Sequence, residues 1–158
     1  MSNSDFSHEE KYTKIGPLDM PLLEGVSRIE REAFADEGLG PGNLALLARC
    51  GSVFALTNAG SVTAEAIVIA ELGGAKALLL SLAVDARLRG RGRGKRLLME
   101  ILAHISAAGF KQIELTVAPD NKAAISLYVD RLGFVIRERL TDHFGPGHHR
   151  LLLEKQLS

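Results

Sequence analysis

VDARLRGRGRGKRLL, residues 84–98, sets six basic side chains and three alternate glycines between two apolar segments. Upstream, AKALLLSLAV (residues 75–84) is apolar almost throughout, the pattern expected of a strand covered on both faces. Downstream, Leu97, Leu98, Ile101, Leu102 and Ile105 mark one side of a helix that should stop near Gly109. The basic stretch therefore joins the end of a strand to the start of a helix. Glycine has no Cβ to block approach, so Arg89-Gly90-Arg91-Gly92-Arg93-Gly94 can expose successive backbone N–H groups. With the positive end of the helix dipole behind them, these groups make a cradle suited to a pyrophosphate, and the arginine side chains add outer charge. Two other phosphate motifs do not fit. The spacing Gly90, Gly92, Gly94 is not G-x-G-x-x-G, and Lys95 precedes Arg96 where a P-loop needs a hydroxyl for magnesium. A merely solvated turn and a nucleic-acid patch are the competing readings. Single-strand binding normally adds aromatic platforms, and no aromatic residue lies between Phe54 and Phe110.

The remainder of the composition makes this stretch a local feature. Nineteen basic residues balance nineteen acidic ones in 158, so nothing global points to a polyanionic partner. The length suits a single domain, residues 1–158, able to bury its own core. Cys50 is the only cysteine, which excludes an intramolecular disulfide and a multi-cysteine metal site and suits a reducing compartment, so the expected location is the cytoplasm. MSNSDFSHEEKYTK at the N-terminus has no apolar core for export, and no run approaches the roughly 20 apolar residues that span a bilayer. No membrane partner is expected.

Toward the N-terminus, Leu22, Leu23, Val26, Ile29 and Phe34 predict a helix around 19–35, and PGNLALLARC a short one opened by Pro41 and closed by Gly51. β-Branched residues on both sides of Asn58-Ala59-Gly60 predict a hairpin. In KQIELTVAP, Ile113, Leu115 and Val117 face one way and Gln112, Glu114 and Thr116 the other. Asn121 can cap a helix whose inner face takes Ala124, Leu127 and Tyr128, ending at Gly133, and two strands, FVIRERL and HHRLLLEKQL, finish the chain. This order predicts an α/β fold with a mixed sheet covered by helices.

The 84–98 stretch resembles the acetyl-CoA-binding motif of the GNAT N-acetyltransferases, Gln/Arg-x-x-Gly-x-Gly/Ala, with Arg89, Gly92 and Gly94 in its fixed positions. Asn121 to Phe134, NKAAISLYVDRLGF, is similar to that family's second signature, N-x-x-A-x-x-L-Y-x-x-x-G-F, with one residue more between Tyr128 and Gly133 than that pattern has. The tail DHFGPGHHRLLLEKQL resembles the members that acetylate protein N-termini, those of ribosomal proteins among them. The resemblance implies a splayed mixed sheet flanked by helices, with an acetyl-CoA-binding core over about 76–135. It implies pantetheine contacts at Leu82 and Val84, a pyrophosphate on Arg89, Gly90, Arg91, Gly92, Arg93 and Gly94, and a contact at Asn121. Acetyl-CoA would be the co-substrate, a primary amine the acceptor, and Tyr128 the proton donor to the leaving thiolate. A phenol, with an ordinary pKa of about 10, remains protonated for that task at neutral pH.

In one respect the chain departs from those relatives. Their general-base glutamate, five residues before the motif asparagine, is here Thr116. Glu114, on the same strand face, is the candidate base through a water relay, with His143, His148 and His149 of the 141–149 loop as the alternative. These histidines do not make a metal site, and no metal is expected. The segment ADEGLGPG offers Asp36 and Glu37 to a cationic acceptor. A catalytically silent GNAT-fold protein that binds acyl-CoA or a partner is the alternative to an enzyme, and a homodimer stays open.

Overall fold

The computed structural model describes residues 9–158; the first eight residues of the segment read above as lacking an export signal lie outside them. Seven strands form one sheet: β1 (Lys11–Lys14), β2 (Val53–Asn58), β3 (Ser61–Ala70), β4 (Lys76–Val84), β5 (Gln112–Val117), β6 (Val135–Leu140) and β7 (Arg150–Gln156). Their spatial order is β1-β2-β3-β4-β5-β7-β6, with β4 and β5 parallel and β1–β2, β5–β7 and β6–β7 antiparallel. The helices are α1 (Met20–Phe34), α2 (Pro41–Arg49), α3 (Arg93–Ala107) and α4 (Lys122–Ile125), the last continuing as a π-helical segment, Ser126–Arg131. The predicted mixed α/β architecture is the one observed. Among the described residues, no helix is long and apolar enough to cross a membrane.

By internal contacts the chain divides into two units, one holding residues up to Ala66 together with Leu82–Leu97, the other Ile67–Ser81 with Leu98–Ser158. In the first, α1 is capped by Asp19, whose carboxylate accepts from Leu22 N–H at 3.3 Å. Leu23, Val26 and Ile29 of α1 are fully buried, as their spacing requires. Phe34, expected on that face, is exposed, and Glu30 is buried in addition. Glu30 accepts from the Leu39 N–H at 3.1 Å and Ser27 donates to the Leu39 carbonyl at 2.9 Å, so two buried polar side chains fasten the loop after α1. Asp36 and Glu37 of that loop are exposed in a 3₁₀ turn, Ala35–Glu37. The hairpin at Ala59-Gly60 has positive φ at both central residues, 49° and 80°, the backbone whose twist suits antiparallel strands. Periodicity had shown nothing at β1, because a strand of only four residues carries too little alternation to register.

Within the second unit, β5 alternates as expected: Ile113, Leu115 and Val117 are buried, and the residues between them are half-buried. Two expectations fail. β4 is not covered on both faces: Ala77, Leu79, Ser81 and Ala83 are buried across the strand, while Leu80 is 49% exposed. Burial alternates along the strand, odd positions buried and even ones half-buried or exposed, so only one face of β4 is fully covered; its ladder with β5 runs only from Lys76↔Gln112 to Leu78↔Glu114, whereas β5 pairs with β7 along all six residues. An apolar run thus marks a strand without showing how much of it a neighbour covers. The helix after Asn121 is also not one regular helix: it widens to π spacing over Ser126–Arg131, and Tyr128 is buried while Ala124 and Leu127 are only half-buried. It ends at Gly133, φ 75°, with the Phe134 N–H returning to the Tyr128 carbonyl at 2.9 Å.

Candidate functional site

The basic stretch belongs to the first unit, and its anchor is acidic. Asp85 follows β4 and is 2% exposed; its carboxylate accepts from the Arg87 N–H at 3.0 Å, from Arg87 Nε at 3.2 Å and Nη2 at 3.1 Å, and from Arg28 Nη1 of α1 at 3.1 Å. The Arg87 hydrogen bonds, outweighing burial and helped by Arg28, hold this carboxyl well below the usual aspartate range. The Asp85 N–H in turn donates to the Thr63 carbonyl at 2.9 Å, which ties the loop to β3.

Beyond this anchor the backbone has donors without acceptors. Among the described residues, the N–H groups of residues 89–94 donate to no protein group; the first bond of α3 runs from the Arg96 N–H to the Gly92 carbonyl at 3.0 Å. Gly90 and Gly92 both have φ 81°, with open space where a Cβ would stand, so glycine is needed here for the backbone angle and not to avoid a neighbour. A row of unpaired donors thus stands at the head of a 15-residue helix, a geometry in which backbone N–H groups can meet an anion. The three arginines differ. Arg91 is exposed, Arg89 reaches the Val84 carbonyl through Nε at 3.3 Å, and Arg93 is turned inward, donating to Glu10 Oε2 at 2.8 Å. Arg93 therefore offers its N–H, not its guanidinium. Leu82 and Val84, at the end of β4, are half-buried.

A polar cavity of about 670 Å³ opens beside the Asp85 anchor and includes none of residues 89–94. Arg28 and Arg87 in its lining are offset by Glu32 and Asp85, so it offers no net charge to a phosphate. Glu10, near the start of the described chain, escaped the sequence reading. Burial pushes its carboxyl up, but hydrogen bonds from Thr63 and Arg93 and the charges of Arg93 and Arg96 bring it below the usual value.

Because Asp85 and Glu10 have folded-state values lowered from those of free carboxyls, their pairing stabilises fully above about pH 5 and is lost as pH falls. Each such group contributes a slope of at most about 1.4 kcal/mol per pH unit. Thermal unfolding between pH 7 and 3 should thus show a Tm that drops with acid. Asp85→Asn should lower Tm at pH 7 and flatten that drop; an unchanged slope would remove Asp85 as an acid-labile anchor.

In the second unit, Glu114 is the last β5 residue paired with β4 and forms an ion pair with Lys76 at 3.3 Å. Thr116 is held by Arg150 of β7, whose Nε donates to its hydroxyl at 3.2 Å and whose Nη2 donates to its carbonyl at 2.9 Å. The same guanidinium lies 5.4 Å from the centre of the Phe144 ring. The residue replacing the relatives' base is therefore engaged by a cation, which no local spacing announced. Asn121 caps α4, its side-chain oxygen accepting from the Ala124 N–H at 3.2 Å. Tyr128 is 8% exposed and packs edge-on against Phe134, centroids 5.6 Å apart. His149 accepts from the Asp142 N–H at 3.1 Å and shapes its loop, His143 lies against Phe144, and His148 is exposed. Among the described residues, no cluster of three or more His, Cys, Asp or Glu side chains could hold a metal ion.

Known structures share this fold. The ribosomal-protein-S18-alanine N-acetyltransferase of Escherichia coli is 24% identical, with a TM-score of 0.80 over 95% of both chains. Ard1 from Thermoplasma volcanium is 25% identical, with a TM-score of 0.81 over 94% of this chain and 98% of its own. YncA of Salmonella typhimurium, solved with its cofactor acetyl-CoA, is 18% identical, with a TM-score of 0.79 over 94% of each chain. No curated protein matches in sequence. Residues 26–134, which contain the donor row and the Asn121–Phe134 signature, match the acetyltransferase (GNAT) family, and to that family the chain belongs.

Proposed function

We propose that this protein is a single-domain N-acetyltransferase that moves an acetyl group from acetyl-CoA to a primary amine by direct attack in a ternary complex. The observation that carries the reading is the row of N–H donors at 89–94, which lack protein acceptors and open onto the head of α3. Such a row matches the two negative charges of a pyrophosphate. Arg89 and Arg91 would add charge from their side chains, Gly90, Gly92, Arg93 and Gly94 only backbone donors. Leu82 and Val84 would hold the pantetheine arm through their main-chain groups. Asn121 would use its amide NH₂, since its oxygen already caps α4.

When bound, acetyl-CoA supplies a thioester carbonyl open to attack by a neutral amine. Tyr128 is assigned, by its place in the family signature, to protonate the departing sulfur. Removal of the amine's proton is assigned to a water relay that ends at Glu114, on the face of β5 shared with Thr116. A peptide amine is the favoured acceptor, supported by the likeness to the S18-alanine enzyme and by the exposed Asp36 and Glu37. Cytoplasmic residence belongs to the same proposal and rests on the lone, exposed Cys50.

One observation favours the silent alternative: Thr116, fastened by Arg150, is no base. A panel of peptide, lysine and polyamine acceptors, assayed with acetyl-CoA by thiol release, separates the two. Turnover is expected with at least one peptide amine. Glu114→Gln should then lower kcat/KM and shift its alkaline-rising limb, with little change when the three histidines are replaced. Micromolar CoA binding without turnover on any amine would establish the silent reading instead.

A further inference from the structure

Arg93 and Arg96 open α3, and both turn to one residue more than eighty positions earlier in the chain. Glu10 accepts from Arg93 Nε at 2.8 Å and from the Thr63 hydroxyl, and Arg96 Nη1 lies 3.7 Å from its other oxygen. The Glu10 main-chain carbonyl also accepts from Arg96 Nη2 at 2.7 Å. The Arg93 and Glu10 side chains are 17% and 12% exposed, so this is a half-buried contact and not a solvated surface pair. From the same guanidinium, Nη1 donates to the Leu88 carbonyl at 3.4 Å. Arg93 thus spans the loop from its helical end back to its beginning, with the unpaired N–H groups of residues 89–92 enclosed by the span.

We propose that Glu10 is a positioning residue for the acyl-CoA loop, a latch that holds Arg93 across residues 88–93 and so keeps the donor row aligned before a phosphate arrives. The inference rests on the assignment of that row to acetyl-CoA. A charge-assisted, half-buried acceptor is well suited to the task, because it fixes the guanidinium in one orientation. Thr63, on β3, adds a third hydrogen bond and connects the latch to the sheet. Alignment lowers the ordering cost of binding and leaves the chemical step alone, so its loss belongs in the Michaelis constant for acetyl-CoA.

Two variants separate the roles of shape and charge. Glu10→Ala removes every side-chain acceptor. Glu10→Gln keeps an oxygen for Arg93 and Thr63 but drops the charge. The expected result is a KM for acetyl-CoA raised about 10-fold in the alanine variant, by less in the glutamine variant, with kcat within about twofold of the parent in both. Hydrogen exchange of the ligand-free protein should show faster exchange at the hydrogen-bonded amides that begin α3, residues 96–98, in Glu10→Ala, with partial protection restored in Glu10→Gln. A KM unchanged in both variants together with unchanged exchange would overturn the latch. A lowered KM would overturn it too, by showing that Glu10 acts only as a negative charge opposing the phosphates. Calorimetry of the unaltered protein with CoA keeps the two readings apart: if CoA does not bind, the acyl-CoA assignment falls, and the exchange data still decide whether Glu10 orders the loop.

Discussion

Tyr128→Phe is expected to lower turnover roughly 10- to 1000-fold, around or somewhat below the usual range for general acid catalysis, while acetyl-CoA affinity stays nearly unchanged. The substitution isolates the hydroxyl. Tyr128 is 8% exposed, its ring meets Phe134 edge-on, and its main-chain carbonyl receives the Phe134 N–H where the π-helical segment ends. Phenylalanine keeps the ring, the packing and that backbone bond, so a stability loss large enough to reduce activity by itself is not expected. What disappears is the hydroxyl proposed as proton donor to the sulfur. Steady-state kinetics with acetyl-CoA varied, alongside a Tm measurement, separates the possibilities: a fall in kcat at constant Tm supports the assignment. Full activity in the variant would make Tyr128 a packing residue and return the proton to solvent.

The second large effect is expected at Gly92. Its φ of 81° lies in the left-handed region, where a residue with a Cβ is disfavoured by about 1–2 kcal/mol, equivalent to roughly 5- to 30-fold in loop alignment. Gly92→Ala should weaken CoA by an amount of that order, since no protein atom stands within 4 Å of the new methyl group. Gly92→Asp adds a negative charge beside the proposed pyrophosphate site. At about 4 Å such a repulsion is worth about 1 kcal/mol in water and about 4 at a typical surface dielectric, so a total loss of at least about 30-fold is expected. Calorimetry with CoA, with circular dichroism to verify the fold, measures both variants. Equal affinity in the parent and in Gly92→Asp would mean that residues 89–94 hold no phosphate, and the reading of the donor row would fail with it.

The family signatures were legible because each is a contiguous local device. Asn121 caps the helix it precedes, Gly90 and Gly92 take the left-handed angles that glycine favours, and Ile113, Leu115 and Val117 alternate into the core as a strand demands. α1 and α2 were readable for the same reason, from apolar spacing and from the prolines and glycines at their ends. β1 was not, being four residues long, and the one-sided cover of β4 was not, because an apolar residue on an uncovered face looks the same in sequence as one that is packed.

Residue type and spacing alone set the order of elements from α1 onward, the glycine-arginine loop and the identity of the residues at the family's two motifs. Each rests on interactions within a few positions along the chain, where residue type and spacing set the backbone directly. Which charges meet was settled by the fold. Glu10 and Arg93 are 83 residues apart in sequence, Arg28 and Asp85 57, Thr116 and Arg150 34, and no periodicity links such partners. Charged side chains occur throughout the chain, and it is the sheet, with the turns that return α1, β1 and β7 beside their partners, that selects a few of them for burial and pairing. Burial then gives those few pairs their strength, since a carboxylate removed from water must be held by its partners. The same folding that fastened the donor loop through Glu10 and Asp85 also set Arg150 on the threonine that stands in place of the relatives' base.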